Sequence, residues 1–157
     1  MIANTKAIAL LLCSLVVSTI AGDSFEANTV AWIEGLNGKT AADMKYHRQY
    51  FRDDAELNWH FAPDHMKATN VEEVSEMHVD WWTKMPDMKI RVNEIVSAGD
   101  KVAVQITAAS EEKDLNFELG GIFTGVAGKL QVGNWYGDFT WTMEKLGVYE
   151  GNCKKQE

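Results

Sequence analysis

Residues 51–61, Phe51-Arg52-Asp53-Asp54-Ala55-Glu56-Leu57-Asn58-Trp59-His60-Phe61, mark the point where the chain changes from helical to extended patterning. From Ala55 the residues alternate. Leu57, Trp59 and Phe61 fall on one face, and Glu56, Asn58 and His60 on the other. A period of two with one apolar face predicts a half-buried strand over 55–61. His60 alternates away from Trp59, toward solvent or a helix end.

Working outward from this strand, two helical segments precede it. Residues 27–36 suit a helix closed by the turn signal Asn37-Gly38. Thr40 begins a second helix over 41–52, with Asp43 placed to complete a capping box. A third helix is predicted over 70–85, where Val71, Val74, Met77, Trp81 and Met85 recur at three- and four-residue steps as one buried stripe. Strand-like runs follow at 88–96 and 101–109, joined by Gly99-Asp100, and then at 117–123 and 129–143. Within 101–109, Val102, Val104 and Ile106 face one way. Pro63 and Pro86 stand at element boundaries. Helices first and strands after predict an α+β domain, its helices packed on one face of an antiparallel-rich sheet.

The first 21 residues read differently from the rest. Lys6 is followed by an apolar run over 7–17 and then by Ser18-Thr19-Ile20-Ala21, the pattern of a cleavable secretory signal cut after Ala21. The apolar run is too short to span a membrane, so no membrane association is expected after cleavage. The remaining 136 residues, 22–157, suit a single domain. Losing Lys6 leaves 14 basic against 23 acidic side chains, a net charge of −9. Such a surface repels phosphate backbones, which argues against nucleic acid as a partner. Only Cys153 survives cleavage, so no disulfide framework is expected.

Three stretches together carry a family resemblance. They are Phe51-Arg52-Asp53-Asp54-Ala55-Glu56-Leu57; Pro86-Asp87-Met88-Lys89-Ile90-Arg91-Val92 with Ser97-Ala98-Gly99-Asp100-Lys101-Val102-Ala103-Val104; and Thr124-Gly125 with Gly128-Lys129. In that order they resemble the helix-to-strand segment, central hairpin and glycine-rich turn of the nuclear transport factor 2-like superfamily, in particular its SnoaL-like branch. The likeness covers about residues 29–150. It implies a cone-shaped domain, with a curved antiparallel-rich sheet wrapped around the N-terminal helices and an apolar cavity open at one end. Members of the superfamily include isomerases, dehydratases, epoxide hydrolases, polyketide cyclases and non-catalytic binders, so the site must be argued from its own residues.

Carried over residue by residue, the family's catalytic positions are poorly matched. The first-strand aspartate of steroid-isomerase-like members falls on Trp59, and the first-helix tyrosine on Trp32 or Leu36. A late-strand acid able to donate to an oxyanion falls near Asp138, although counting back from Gly147 reaches Phe139. Trp135, Phe139, Trp141 and Met143 share one strand face, and Asp138 lies on the other. The stretch 147–152 has no aspartate where SnoaL-like cyclases carry an acid/base, and residues 104–107 lack the Arg-x-Asp of epoxide hydrolases.

Among the histidines, His78 lies four residues from both Val74 and Trp82. It reads either as a packed, hydrogen-bonded side chain or as a pocket acid/base. His47 and His65 have no partner that sequence can assign. No metal-ligand spacing, Gly-x-Ser-x-Gly elbow or phosphate loop occurs, so neither a metal nor a cofactor is expected. The most distinctive feature is six tryptophans. Core packing accounts for most of them. Trp59 and Trp141 lie on strands expected to line the cavity, and Trp32 lies on the helix opposite.

The combined expectation is an exported domain that holds a small hydrophobic molecule in a pocket lined by Trp32, Trp59, Phe139 and Trp141. If it is catalytic, it would be a cofactor-independent cyclase, isomerase or dehydratase using His78 and Asp138. The competing reading is a non-catalytic carrier, or a domain whose tryptophans fill its own cavity and which pairs with a second copy. The missing acid/base positions favour the non-catalytic side.

Overall fold

The computed structural model describes residues 24–60 and 66–137. Its first helix, α1 (Phe25–Glu34), starts at Ser24, whose Oγ accepts from the Ala27 N–H at 3.1 Å. Phe25, Thr29, Trp32 and Ile33 form its buried side. Thr29 is tolerated there because its hydroxyl donates to Phe25 O at 2.7 Å. At the C-terminal end, the Tyr46 hydroxyl lies 2.7 Å from Trp32 O and supplies a donor to the unpaired end of the helix. A Cβ at Gly35 would sit 2.0 Å from that hydroxyl, so glycine is needed for the approach.

The second predicted helix differs from expectation in both type and length. Residues Ala41–Gln49 form a 3₁₀ helix kinked at Asp43, and by Phe51 the chain is already a strand. The capping box is present, with Thr40 N–H donating to Asp43 Oδ2 and Ala42 N–H to Thr40 Oγ1. Of the segment's nine residues only His47 is buried, so no apolar stripe holds a longer α-helix in place. Phe51 is instead drawn into the sheet, 1% exposed and opposite Leu130.

Strand β1 (Phe51–Trp59) therefore begins four residues earlier than the alternation alone predicts, and a register shift between Phe51 and Glu56 separates its two halves. The short β2 (Met66–Ala68), which sequence reading missed, pairs antiparallel with β1. Helix α2 (Val71–Lys84) is capped by Asn70, whose Oδ1 accepts from the Glu73 N–H. Its buried side is Val71, Val74, Ser75, His78 and Trp82. The expected stripe is thus rotated: Met77 and Trp81 are half-buried, and a serine and a histidine take inner places. Both satisfy themselves locally, as Ser75 Oγ donates to Val71 O and His78 bonds Val74 O.

Four further strands follow: β3 (Lys89–Ala98), β4 (Lys101–Ser110), β5 (Leu115–Val126) and β6 (Lys129–Tyr136). The six form one curved, open sheet in the order β2-β1-β6-β5-β4-β3. Only the β1–β6 pair is parallel. Register shifts between Val92 and Glu94 and between Thr124 and Gly125 bend the ladder locally. On the inner face of β5 and β6 large and small residues alternate across the strands, with Gly121 opposite Trp135 and Phe123 opposite Gly133. The rings thereby lie over glycines, and the helices can approach the concave side. The core formed there centres on Trp32, which is fully buried, with ring centroids 4.8 Å from Phe51, 5.5 Å from Phe123 and 6.2 Å from Trp135.

Candidate functional site

Between the two α-helices and the concave face lies a small cavity of about 30 Å³. That is room for one or two waters, well below the several hundred Å³ usual for a drug-sized ligand. Ile33 and Leu36 close it from the α1 side, and His78 and Trp81 from α2. The sheet contributes Trp59, Phe117 and Trp135 among others, and Met88, just before β3, completes the rim. Among the described residues no Asp, Glu, Lys or Arg lines this wall, and His78 is the one titratable side chain they place on it.

The setting of His78 is fixed by a second histidine. His78 is 7% exposed and its Nδ1 lies 2.8 Å from Val74 O. A carbonyl only accepts, so Nδ1 carries the proton and Nε2 the lone pair. His47, fully buried, accepts the Trp32 indole N–H on Nδ1 at 3.1 Å, which places its own proton on Nε2. The two imidazole centroids are 4.5 Å apart, and His47 stacks flat on Trp82 at 5.8 Å. Trp32 and Trp59 border the His78 ring at 6.1 and 5.8 Å.

Both rings are held neutral. Burial brings His78 down to about 4, against an opposing pull from its bond to Val74 O. Burial, followed by the neighbouring His78, brings His47 down to about 2. A neutral imidazole with an uncommitted lone pair can accept a hydrogen bond or, weakly, a proton.

The sequence-selected residues fare unevenly. Trp59 and His78 stand together on the cavity wall. Trp32 stands behind it, in the core and bonded to His47. Asp138, Phe139 and Trp141 lie outside the described residues, as do the leader, His65 and Cys153. His60 is exposed, as alternation predicts, and bonds Asn134 at 2.9 Å while stacking on Tyr136. His47 was missed, because its partner Trp32 lies 15 residues away on another element and its own segment has no periodicity to flag it. Leu36, Met88, Phe117 and Trp135 carry no signal beyond that of core residues. Among the described residues no group of three or more His, Cys, Asp or Glu could hold a metal.

The SnoaL-like domain model matches residues 29–132. The chain belongs to that family. No curated protein matches its sequence significantly. Among solved structures it is similar to a Jannaschia sp. CCS1 protein assigned as a SnoaL-like polyketide cyclase. There the identity is 13%, 78% of this chain and 90% of the other are covered, and the TM-score is 0.64. It is also similar to IdmH, assigned as a polyketide cyclase from Streptomyces antibioticus, at 19% identity, 79% and 99% coverage and a TM-score of 0.61. An epoxide hydrolase of the LEH-like type from M. tuberculosis matches at 12% identity, 79% and 90% coverage and a TM-score of 0.59. At these identities the likeness is one of fold.

Proposed function

We propose that this SnoaL-like domain is exported and holds a small apolar molecule in the cavity beside His78, as a binder rather than a catalyst. The observation that carries the reading is the wall itself, built from both α-helices and the concave sheet, whose described residues are apolar or aromatic except for one neutral imidazole. Apolar walls with a single orienting polar group are the ordinary composition of a small-molecule site. Because the resting cavity is small, the occupant enters as wall side chains shift, and Met88, unbranched and flexible, is suited to that role. Export rests on the leader pattern of residues 1–21.

A second reading is a cyclase or isomerase that uses His78 for proton transfer, with Asp138 as the other candidate. It draws on the fold shared with proteins assigned as polyketide cyclases, and on the His78 lone pair beside Trp59.

Native mass spectrometry of protein secreted by its own host tests the binder. The expected result is a mature chain beginning at Gly22 that carries an apolar small molecule. Ligand-free protein from several preparations overturns binding, and an intact leader or an intracellular product overturns export.

A further inference from the structure

We infer that the molecule held in the cavity is a neutral apolar compound bearing a hydroxyl, and that this hydroxyl donates its hydrogen bond to Nε2 of His78. The inference rests on the binding reading above and specifies its ligand class. The His78 ring is anchored through Nδ1 to Val74 O, one turn back on its own helix, so Nε2 lies on the far edge of the ring from that carbonyl. Four rings that carry an N–H, those of Trp32, His47, Trp59 and Trp82, have centroids 4.5 to 6.1 Å from that of His78, and no hydrogen bond joins any of them to its lone pair. The Trp32 indole is committed to His47. His47 Nε2 and Trp82 Nε1 are buried without any hydrogen-bond partner, so neither donates to His78. His78 is thus 93% buried by its 7% exposure, lines the cavity, and is bonded there only through Nδ1.

Charge narrows the class further. Among the described residues the wall offers no cation to a carboxylate, whose oxygens would face a lone pair, and no carboxylate to an ammonium. A hydroxyl supplies the missing donor without burying a charge, which suits phenols, enols and alcohols on an apolar body.

The test is calorimetric titration of the mature protein at neutral pH with four probes on one ring system: 2-naphthol, 2-methoxynaphthalene, 2-naphthoate and 2-naphthylmethylamine. The naphthol is expected to bind roughly tenfold tighter than its methyl ether, the value of one hydrogen bond to a buried acceptor. The two charged probes are expected to bind more weakly than the ether. Equal affinities for naphthol and ether overturn the inference and leave the binding reading standing, as does tighter binding of the naphthoate or the ammonium. Failure of all four to bind removes the binding reading and the inference with it. His78→Phe is expected to bring naphthol and ether affinities together, and an undiminished preference overturns the assignment to His78. Should that variant fail to fold, the imidazole nitrogen spectrum of the wild-type protein decides. The His78 Nε2 resonance is expected to move on adding 2-naphthol and not on adding the ether, and an unmoved resonance overturns the inference.

Discussion

Acidification within the range where only histidines titrate should destabilise this domain more than an ordinary one. His47 and His78 are neutral and buried in the folded state, down to about 2 and about 4, against an ordinary value of 6.5. A depressed folded pKa means that the unfolded chain takes up protons first. Stability is therefore fully present above pH 6.5 and is lost as pH falls, until the folded groups themselves titrate near 4 for His78 and 2 for His47. Each group costs about 1.4 kcal/mol per pH unit in that window. Between about pH 7.5 and pH 5 this amounts to roughly 2 kcal/mol per histidine, or about 4 kcal/mol for the pair. Against a typical total of about 5–15 kcal/mol, the loss is large.

The carboxylates do not confound this comparison. Asp43 and Asp87 are held below their ordinary 3.8, and Glu73 below 4.5, by hydrogen bonds from Thr40, Ser110 and Thr69 respectively, so what they contribute is lost only at lower pH. Urea unfolding followed by tryptophan fluorescence should show the midpoint falling by roughly 2 M over the same pH interval. In His78→Phe, which keeps one of the two groups, about half of that pH-dependent loss should remain. A wild-type midpoint that does not move between about pH 7.5 and pH 5 would refute the assignment of two buried neutral imidazoles.

Two further perturbations test the packing that shapes the site. A Cβ at Gly133 would lie 2.4 Å from Leu57 Cδ1 and 2.9 Å from Phe123, so Gly133→Ala should cost about 1–3 kcal/mol in calorimetry. Gly120→Ala, where nothing lies within 4 Å, should leave the melting temperature nearly unchanged. Equal effects at the two sites would mean that the ring-over-glycine packing is wrong. Asp87 ties the start of β3 to the β4–β5 turn, accepting from Ser110 Oγ at 2.6 Å and from the Glu112 N–H at 3.0 Å. Asp87→Ala should speed amide exchange at Glu112 without changing it at Val104 in mid-strand, and an unchanged Glu112 rate would show the tether to be idle.

Much of the fold was legible because it rests on local periodicity. Val102, Val104 and Ile106 alternate in sequence and are buried in the structure. Thr40 caps the second helical segment with Asp43 completing the box, as their spacing predicts. Legibility failed where a distant contact outweighs the local pattern. Phe51 reads as the end of a helix, yet its burial opposite Leu130 makes it a strand residue. Ser75 and His78 are not in the apolar stripe that the α2 sequence predicts, yet backbone carbonyls one turn earlier satisfy them on the inner side. The site suffers most from this. Trp59 and His78 can be picked out singly, but the bond from Trp32 to His47, which leaves His47 neutral beside His78, joins two elements with no shared sequence signal.

The tryptophans bear on both competing readings. Trp32, Trp59, Trp82 and Trp135 are all at most 4% exposed, so packing claims most of the aromatic load and shrinks the cavity to about 30 Å³. Taken alone, that volume favours a domain filled by its own side chains. The polar groups argue the other way. A core built only for stability gains nothing from placing two imidazoles 4.5 Å apart, each held below its ordinary value by burial and one with an unpartnered N–H. Such groups are expensive where they serve no ligand, and perturbed histidines beside a pocket are where function concentrates. The size of the cavity and the chemistry of its wall therefore make opposite forecasts for the naphthol titration. A closed, self-filled core predicts no binding of any probe. A site that opens around His78 predicts the hydroxyl preference, at the expense of the small void it now encloses.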